Sequence, residues 1–275
     1  MKRRQLLELE DQDWFPSAIR DLATDLMRFM ADLAGGRLVH HVAGRLGDAL
    51  RHTGYDQVLD LCSGAGGPIP AIWRRLRAEG QCIRFTLTDK YPNRDALQRT
   101  KELSDGEISY VAEPVDAMSV PKHLGGFRTI FNTLHHFPPS EAQSIIRDAV
   151  DAGEPIACFE LAERTPLGAA VALLAIPALV LIVTPFVRPF QGSRLFWTYL
   201  VPAVPLLVLF DGFASVLRAY TPEELALLVA ELNAGEYHWE IGREALPLPY
   251  TYLIGWPRSG AERPSPSATG QADSQ

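Results

Sequence analysis

Four stretches of this chain set carboxylates, glycines and imidazoles where an apolar run stops. In VLDLCSGAGGP (58–68) the run ends at Asp60, and Gly64, Gly66 and Gly67 follow almost at once. Glycine lets backbone approach a ligand closely and tolerates positive φ. Dinucleotide sites use a similar turn, but the GxGxxG spacing is absent, so the turn alone leaves its ligand open. After the next apolar run comes Asp89, a carboxylate able to accept both hydroxyls of a ribose. Asp116, in VDAM beside apolar residues, suits a flat ring carrying an amino group, such as adenine. Asn132-Thr133-Leu134-His135-His136-Phe137 then brings two adjacent imidazoles, side chains that exchange protons near neutral pH.

The elements that must position these groups follow from periodicity. Apolar residues at Ile19, Leu22, Leu26, Phe29, Met30 and Leu33 predict a helix from Ser17, broken at Gly35-Gly36, with a second helix over 38–50. Short apolar strands are predicted at 57–62, 83–88, 108–111, 127–132 and 155–161, with helices at 68–79, 94–103 and 140–152 between them. Such alternation implies a parallel sheet covered by helices on both faces. Ligands of these sheets bind beyond the carboxyl ends of the strands, where all four stretches fall. Thr221-Pro222-Glu223-Glu224 starts a late helix running to about residue 232, and strands at 237–243 and 250–256 close the domain as an antiparallel pair.

Taken together, these motifs over 57–161 and 221–256 resemble the class I S-adenosylmethionine-dependent methyltransferases. The resemblance implies a Rossmann-like α/β fold with a seven-stranded, mostly parallel sheet whose last strand is antiparallel. It implies S-adenosylmethionine as cofactor. Asp60, Gly64 and Gly66 would hold its methionine end, Asp89 its ribose and Asp116 its adenine amino group, with Cys62 and Asn132 in the same cradle. His135 and His136 match a segment often placed at the substrate, which makes them the catalytic candidates, and no metal is expected. The family's first motif reads Asp-x-Gly-x-Gly-x-Gly, and Cys62 stands at its first glycine, so a negative φ is expected there. Glu160 faces the acceptor side in this architecture, with a structural salt bridge as the alternative. Trp14 and Phe15 are either a lid or a core staple.

The most individual feature is an apolar insertion over 164–218. No charge occurs from 165 to 187, enough for a helix to span a bilayer core, and a shorter apolar run follows at 195–210 with Trp197 and Tyr199 near its start. Pro177, Pro185, Pro202 and Pro205 should kink both runs. Three readings stand: a hairpin that crosses a membrane, one that lies in its interface, or a cap or dimer contact away from lipid. Because the insertion leaves the sheet at the acceptor edge, a small hydrophobic or lipid-like acceptor is expected, with Asp211, Arg218 and Tyr220 as its contacts. Membrane contact through 165–210 would place the protein on the cytoplasmic side of a membrane. The rival function is a non-catalytic cofactor-binding or membrane interaction protein on the same fold.

Composition narrows the remainder. The net charge of −7 argues against a nucleic-acid partner, which demands a basic face. Lys2-Arg3-Arg4 is too short a basic run to be more than a solvated terminus. Cys62, Cys82 and Cys158 lie in apolar runs without metal-ligand spacing and read as buried reduced thiols. No secretory signal is expected in the charged opening segment. The division is thus a helical segment at 1–51, the main domain at 52–257 interrupted at 164–218, and a disordered Ser/Pro/Gly-rich tail at 258–275.

Overall fold

The computed structural model describes residues 1–258 apart from 11, 13, 65, 105, 189, 233–234 and 246–248. The expected tail, bar Arg258, and part of the 244–249 turn between the last two strands lie outside the described residues. A single helix, α1 (Ser17–Thr53), replaces the two expected and runs straight through Gly35-Gly36. Each glycine costs a helix interior about 1 kcal/mol against alanine, and packing at both ends outweighs that. The first half of α1 buries Ile19, Leu22, Leu26 and Met30 against the insertion, and its second half buries Val42, Leu46 and Leu50 against the sheet. α1 ends where Gly54 takes a left-handed φ of 72° and its N–H caps Leu50 O.

Seven strands form one sheet: β1 (Gln57–Asp60), β2 (Arg84–Leu87), β3 (Ile108–Tyr110), β4 (Phe127–Phe131), β5 (Ile156–Glu160), β6 (Tyr237–Glu244) and β7 (Tyr250–Pro257). Their order is β3-β2-β1-β4-β5-β7-β6, and β7 alone runs against the other six. Every residue of β5 is buried, as expected of a strand covered on both faces. α2 (Ile69–Ala78) and α3 (Arg94–Glu102) join α1 over one face, where Phe85, Phe127 and Phe159 pack. α4 (Pro139–Ala152) and α9 (Pro222–Ala230) cover the other, over Leu59, Ile130, Cys158 and Leu253. A capping box starts α9: Thr221 Oγ1 accepts from Glu224 N–H, and Glu224 Oε2 accepts from Thr221 N–H.

The insertion is α5 (Pro166–Ala170), a wide π turn at Val171–Ala175 and α6 (Ile176–Val183), then α7 (Gly192–Leu195), a second π turn and α8 (Ala203–Arg218). Its prolines act unequally. Pro177 follows the first π turn, and Pro202 marks a 70° bend ahead of α8, whereas Pro205 sits inside the first turns of α8. α8 also carries Asp211 and Arg218. The three cysteines differ: Cys158 is buried, Cys62 half-buried, and Cys82 exposed, because its apolar neighbourhood ends in the connection before β2.

The antiparallel pair shows how tightly this sheet packs. Gly255 stands opposite Trp239, and a β-carbon there would lie 2.1 Å from the indole ring. Gly255→Ala is therefore expected to destabilise the chain by roughly 1–3 kcal/mol in urea unfolding, through a displaced Trp239.

Candidate active site

The carboxyl ends of β1, β2, β4 and β5 bring the sequence candidates to one edge. Asp60 closes β1 almost fully buried; its Oδ1 accepts from Thr129 Oγ1 at 2.7 Å and its Oδ2 from Ser63 Oγ at 2.6 Å. Burial pushes its pKa up to about 7, against the pull of the two hydroxyls and with a further push from Asp89. Both oxygens thus serve protein hydroxyls, and Asp60 fastens the turn to β4. Ser63 N–H continues the fastening to Thr88 O at 2.9 Å.

Cys62 corrects a second expectation. Its φ is +57°, in the left-handed region, so the chain keeps the backbone that glycine would adopt there and carries about 1 kcal/mol of strain. Burial also raises the Cys62 thiol, with the Asp89, Asp60 and Asp116 charges adding to it, so this sulfur is held protonated. Gly64 and Gly66 follow at φ +54° and +96°. Gly64 has open space where a β-carbon would be, and its N–H donates to Asp89 Oδ2 at 2.7 Å. Asp89 Oδ1 accepts from Tyr91 N–H at 2.7 Å, so the carboxylate stands directly beside the glycine turn. Asp116 lies next along the edge and takes Lys90 Nζ at 2.9 Å, which lowers its pKa together with the N–H of Met118. Asn132, also left-handed at φ +51°, accepts from Leu161 N–H at 3.0 Å and ties the end of β4 to the exit of β5.

The β4–β5 half of the edge is closed by the N-terminal segment, which no local sequence signal places there. Arg3 is half-buried: it donates to Arg218 O at 2.7 Å and Phe137 O at 3.0 Å and lies 4.1 Å over the Tyr220 ring. The basic opening run is thus docked at Arg3, where a solvated terminus was expected. Glu8 is fully buried; its Oε1 accepts from Ser215 Oγ at 2.8 Å, while Oε2 lies 2.9 Å from His136 Nδ1 and 2.8 Å from Arg218 Nη1. Burial opposes its ionisation, yet His136, His135 and Arg218 together hold its pKa below the usual carboxylate range.

Glu160, at the end of β5, accepts from Leu134 N–H at 2.7 Å and meets His135 Nδ1 at 2.5 Å; both side chains are 1 % exposed. Tyr220 donates to Phe137 O at 2.7 Å, and burial pushes its pKa up to about 12. Asp211 accepts from the N–H groups of Leu9 and Glu10 at 2.8 and 2.9 Å, so it holds the N-terminal segment to α8. Structure thus gathers His135, His136, Glu160, Arg218 and Tyr220, and gives Asp211 a fastening role. Trp14 is not among them. It is 68 % exposed beside Phe15, while Phe15 packs on the α1–α6–α8 cluster. A groove of about 890 Å³ lies elsewhere, between α1 and β6–β7, and is lined by His40, Arg45, His52 and Glu240 but none of the edge residues.

Sequence reasoning missed Glu8, Arg3, Ser63 and Thr129. The last two could have been found, as hydroxyls at the ends of strands beside an acid. Glu8, inside a charged run without periodicity, carries no such signal.

No protein-family model matches the sequence, and no curated protein sequence does. Solved structures do. An O-methyltransferase family protein from Burkholderia thailandensis matches 81 % of this chain at 17 % identity and a TM-score of 0.45, and this chain spans 58 % of that protein's length. The mitomycin 7-O-methyltransferase MmcR matches 80 % of the chain, and 54 % of its own, at 16 % identity and a TM-score of 0.47. NcsB1, an O-methyltransferase of neocarzinostatin biosynthesis solved with S-adenosylmethionine and 2-hydroxy-5-methyl naphthoic acid, matches 78 %, and 56 % of its own, at 14 % and 0.45. The strand order and the single reversed strand are those of the class I methyltransferase fold.

Asp60 gives this edge a pH signature. Its folded pKa lies above its unfolded value, so its contribution to stability is complete below about pH 4 and is lost as pH rises through 7. Asp60→Asn, neutral throughout, should gain on the parent chain by a few kcal/mol (order of magnitude) between pH 4 and pH 8 in urea unfolding. Parallel pH curves for the two chains would contradict the buried acid.

Proposed function

We propose that this chain transfers a methyl group from S-adenosylmethionine to a small, hydrophobic acceptor drawn from a membrane. The observation that carries the reading is the contact of the left-handed Gly64 backbone with the Asp89 carboxylate on one strand edge. A turn with glycine at 64, 66 and 67 admits the amino-acid end of the cofactor, and the neighbouring carboxylate is placed for two ribose hydroxyls. Asp116 would reach the adenine amino group by giving up part of its contact with Lys90. Methyl transfer is an in-line displacement, so the protein's main task is to align acceptor and methyl group.

The insertion supports a lipophilic acceptor. Pro166–Phe186 is long and apolar enough to cross a membrane, yet only 33 % of its most apolar window is buried. Leu167, Leu174, Ile182, Phe186, Leu200 and Leu206 are all more than half exposed. A full crossing is disfavoured by the partner of this hairpin. Buried Arg194 near its tip pairs with Asp25 of α1 at 3.0 Å, so translocating the tip would carry the charged first half of α1 with it. A hairpin lying in the cytoplasmic interface keeps those charges in water and sets the acceptor edge against lipid.

Incubating the full chain with methyl-labelled S-adenosylmethionine and a bacterial membrane fraction should carry label into the organic-extractable phase. Label confined to aqueous products, or none at all, would overturn the acceptor class. In vesicle flotation, Leu174→Glu with Leu200→Glu should release at least half of the bound chain; unchanged flotation would remove the insertion from the lipid contact.

A further inference from the structure

Glu8, His135 and His136 do more than join the N-terminal segment to the strand edge. Their donor atoms, one from each side chain, lie within 4.8 Å of one another in a pocket where two of the three residues are buried. We propose that this cluster is a binding site for a divalent transition-metal ion, held by two imidazoles and one carboxylate.

The geometry fits. Two donors each about 2.1 Å from one ion, at right angles around it, lie about 3.0 Å apart. His136 Nδ1 and Glu8 Oε2 are 2.9 Å apart, so an ion can take the edge along which these two atoms now meet as an ion pair. His135 is oriented in the manner of a metal-ligating histidine. Its Nδ1 is held by the buried Glu160 carboxylate, which fixes the ring and assigns Nε2 as the ligand nitrogen. A carboxylate behind a ligating imidazole is the usual outer partner of such sites. Glu160 is itself fixed by Leu134 N–H, and Glu8 by Ser215, so neither carboxylate has to reorganise. The charge also suits a cation. Arg218 Nη1 lies 2.8 Å from Glu8 Oε2, balances the buried carboxylate in the absence of an ion and shifts to the outer sphere when one binds.

Two imidazoles and a single carboxylate suit zinc, iron or manganese better than calcium, which takes six to eight oxygens. Three protein ligands leave coordination positions open. On the methyltransferase reading, on which this role alone rests, an acceptor oxygen bound there would be polarised and its proton more readily lost. The binding site itself stands without that reading.

The test uses the full chain stripped with chelator and titrated calorimetrically with Zn²⁺, Mn²⁺ and Co²⁺, with S-adenosylmethionine titrated separately into the same preparation. One ion per chain is expected, with Co²⁺ giving a visible absorption band. Glu8→Gln and His136→Asn should each weaken binding at least 100-fold, and Glu160→Gln, behind the ligand, by 10- to 100-fold. Thermal unfolding of each variant without metal checks that it folds; should Glu8→Gln fail, His136→Asn and Glu160→Gln carry the result. Absence of stoichiometric binding by any of the three ions, or binding that survives both His136→Asn and Glu160→Gln, would overturn the site and leave the cluster a buried ion-pair network. Metal bound without S-adenosylmethionine binding would overturn the methyltransferase reading instead.

Discussion

Glu8 is wholly removed from water, and a buried carboxylate must be met by charge and hydrogen bonds on every side. The groups that meet it come from different parts of the chain: His136 from the loop after β4, and Ser215 and Arg218 from the end of the insertion. Satisfying one side chain therefore docks the N-terminal segment, the fourth strand end and the insertion against each other. Asp211 repeats the logic from α8, taking the N–H groups of Leu9 and Glu10. Removing Arg218 would leave an uncompensated buried charge and removing Ser215 an unmet acceptor, which makes this corner cooperative. The β4–β5 half of the edge owes its shape to that requirement.

The β1–β2 half of the edge depends on a different carboxylate. Asp60 is buried between Ser63 and Thr129, and the turn that follows is bent by left-handed residues, Cys62 among them. The strain at Cys62 is tolerated because Ser63 is fixed on both sides, to Asp60 and to Thr88. A rigid turn presents Gly64 N–H and Asp89 in one place. Around this floor, α1 reaches from the sheet to the insertion, so the two halves of the edge share a single helix as their spine.

Much of this was legible in the sequence, for physical reasons. Buried strands alternating with amphipathic helices leave a strong periodic signal, and each strand lies within two residues of its predicted bounds at either end. Asp89 and Asp116 were legible because strand ends are where a parallel sheet exposes polar groups. What failed depended on contacts distant in sequence. Gly35-Gly36 reads locally as a break, and only packing at both ends of α1 keeps it helical. Trp14 reads as a lid or staple from its size, yet stands in the open while Phe15 does the packing. Glu8 and Arg3 look like solvated charges until the elements they pair with, more than a hundred residues away, are in place.

The central claim is that the glycine turn and Asp89 form an S-adenosylmethionine cradle, and calorimetry on the Asp89→Ala chain tests it most directly. The parent chain should bind one equivalent of S-adenosylmethionine. The variant, folded by circular dichroism, should bind at least ~30-fold more weakly, because two ribose hydroxyls lose a charged acceptor worth about 1.5–3 kcal/mol per hydrogen bond. Equal affinity in the two chains, or no binding by the parent, would contradict the account.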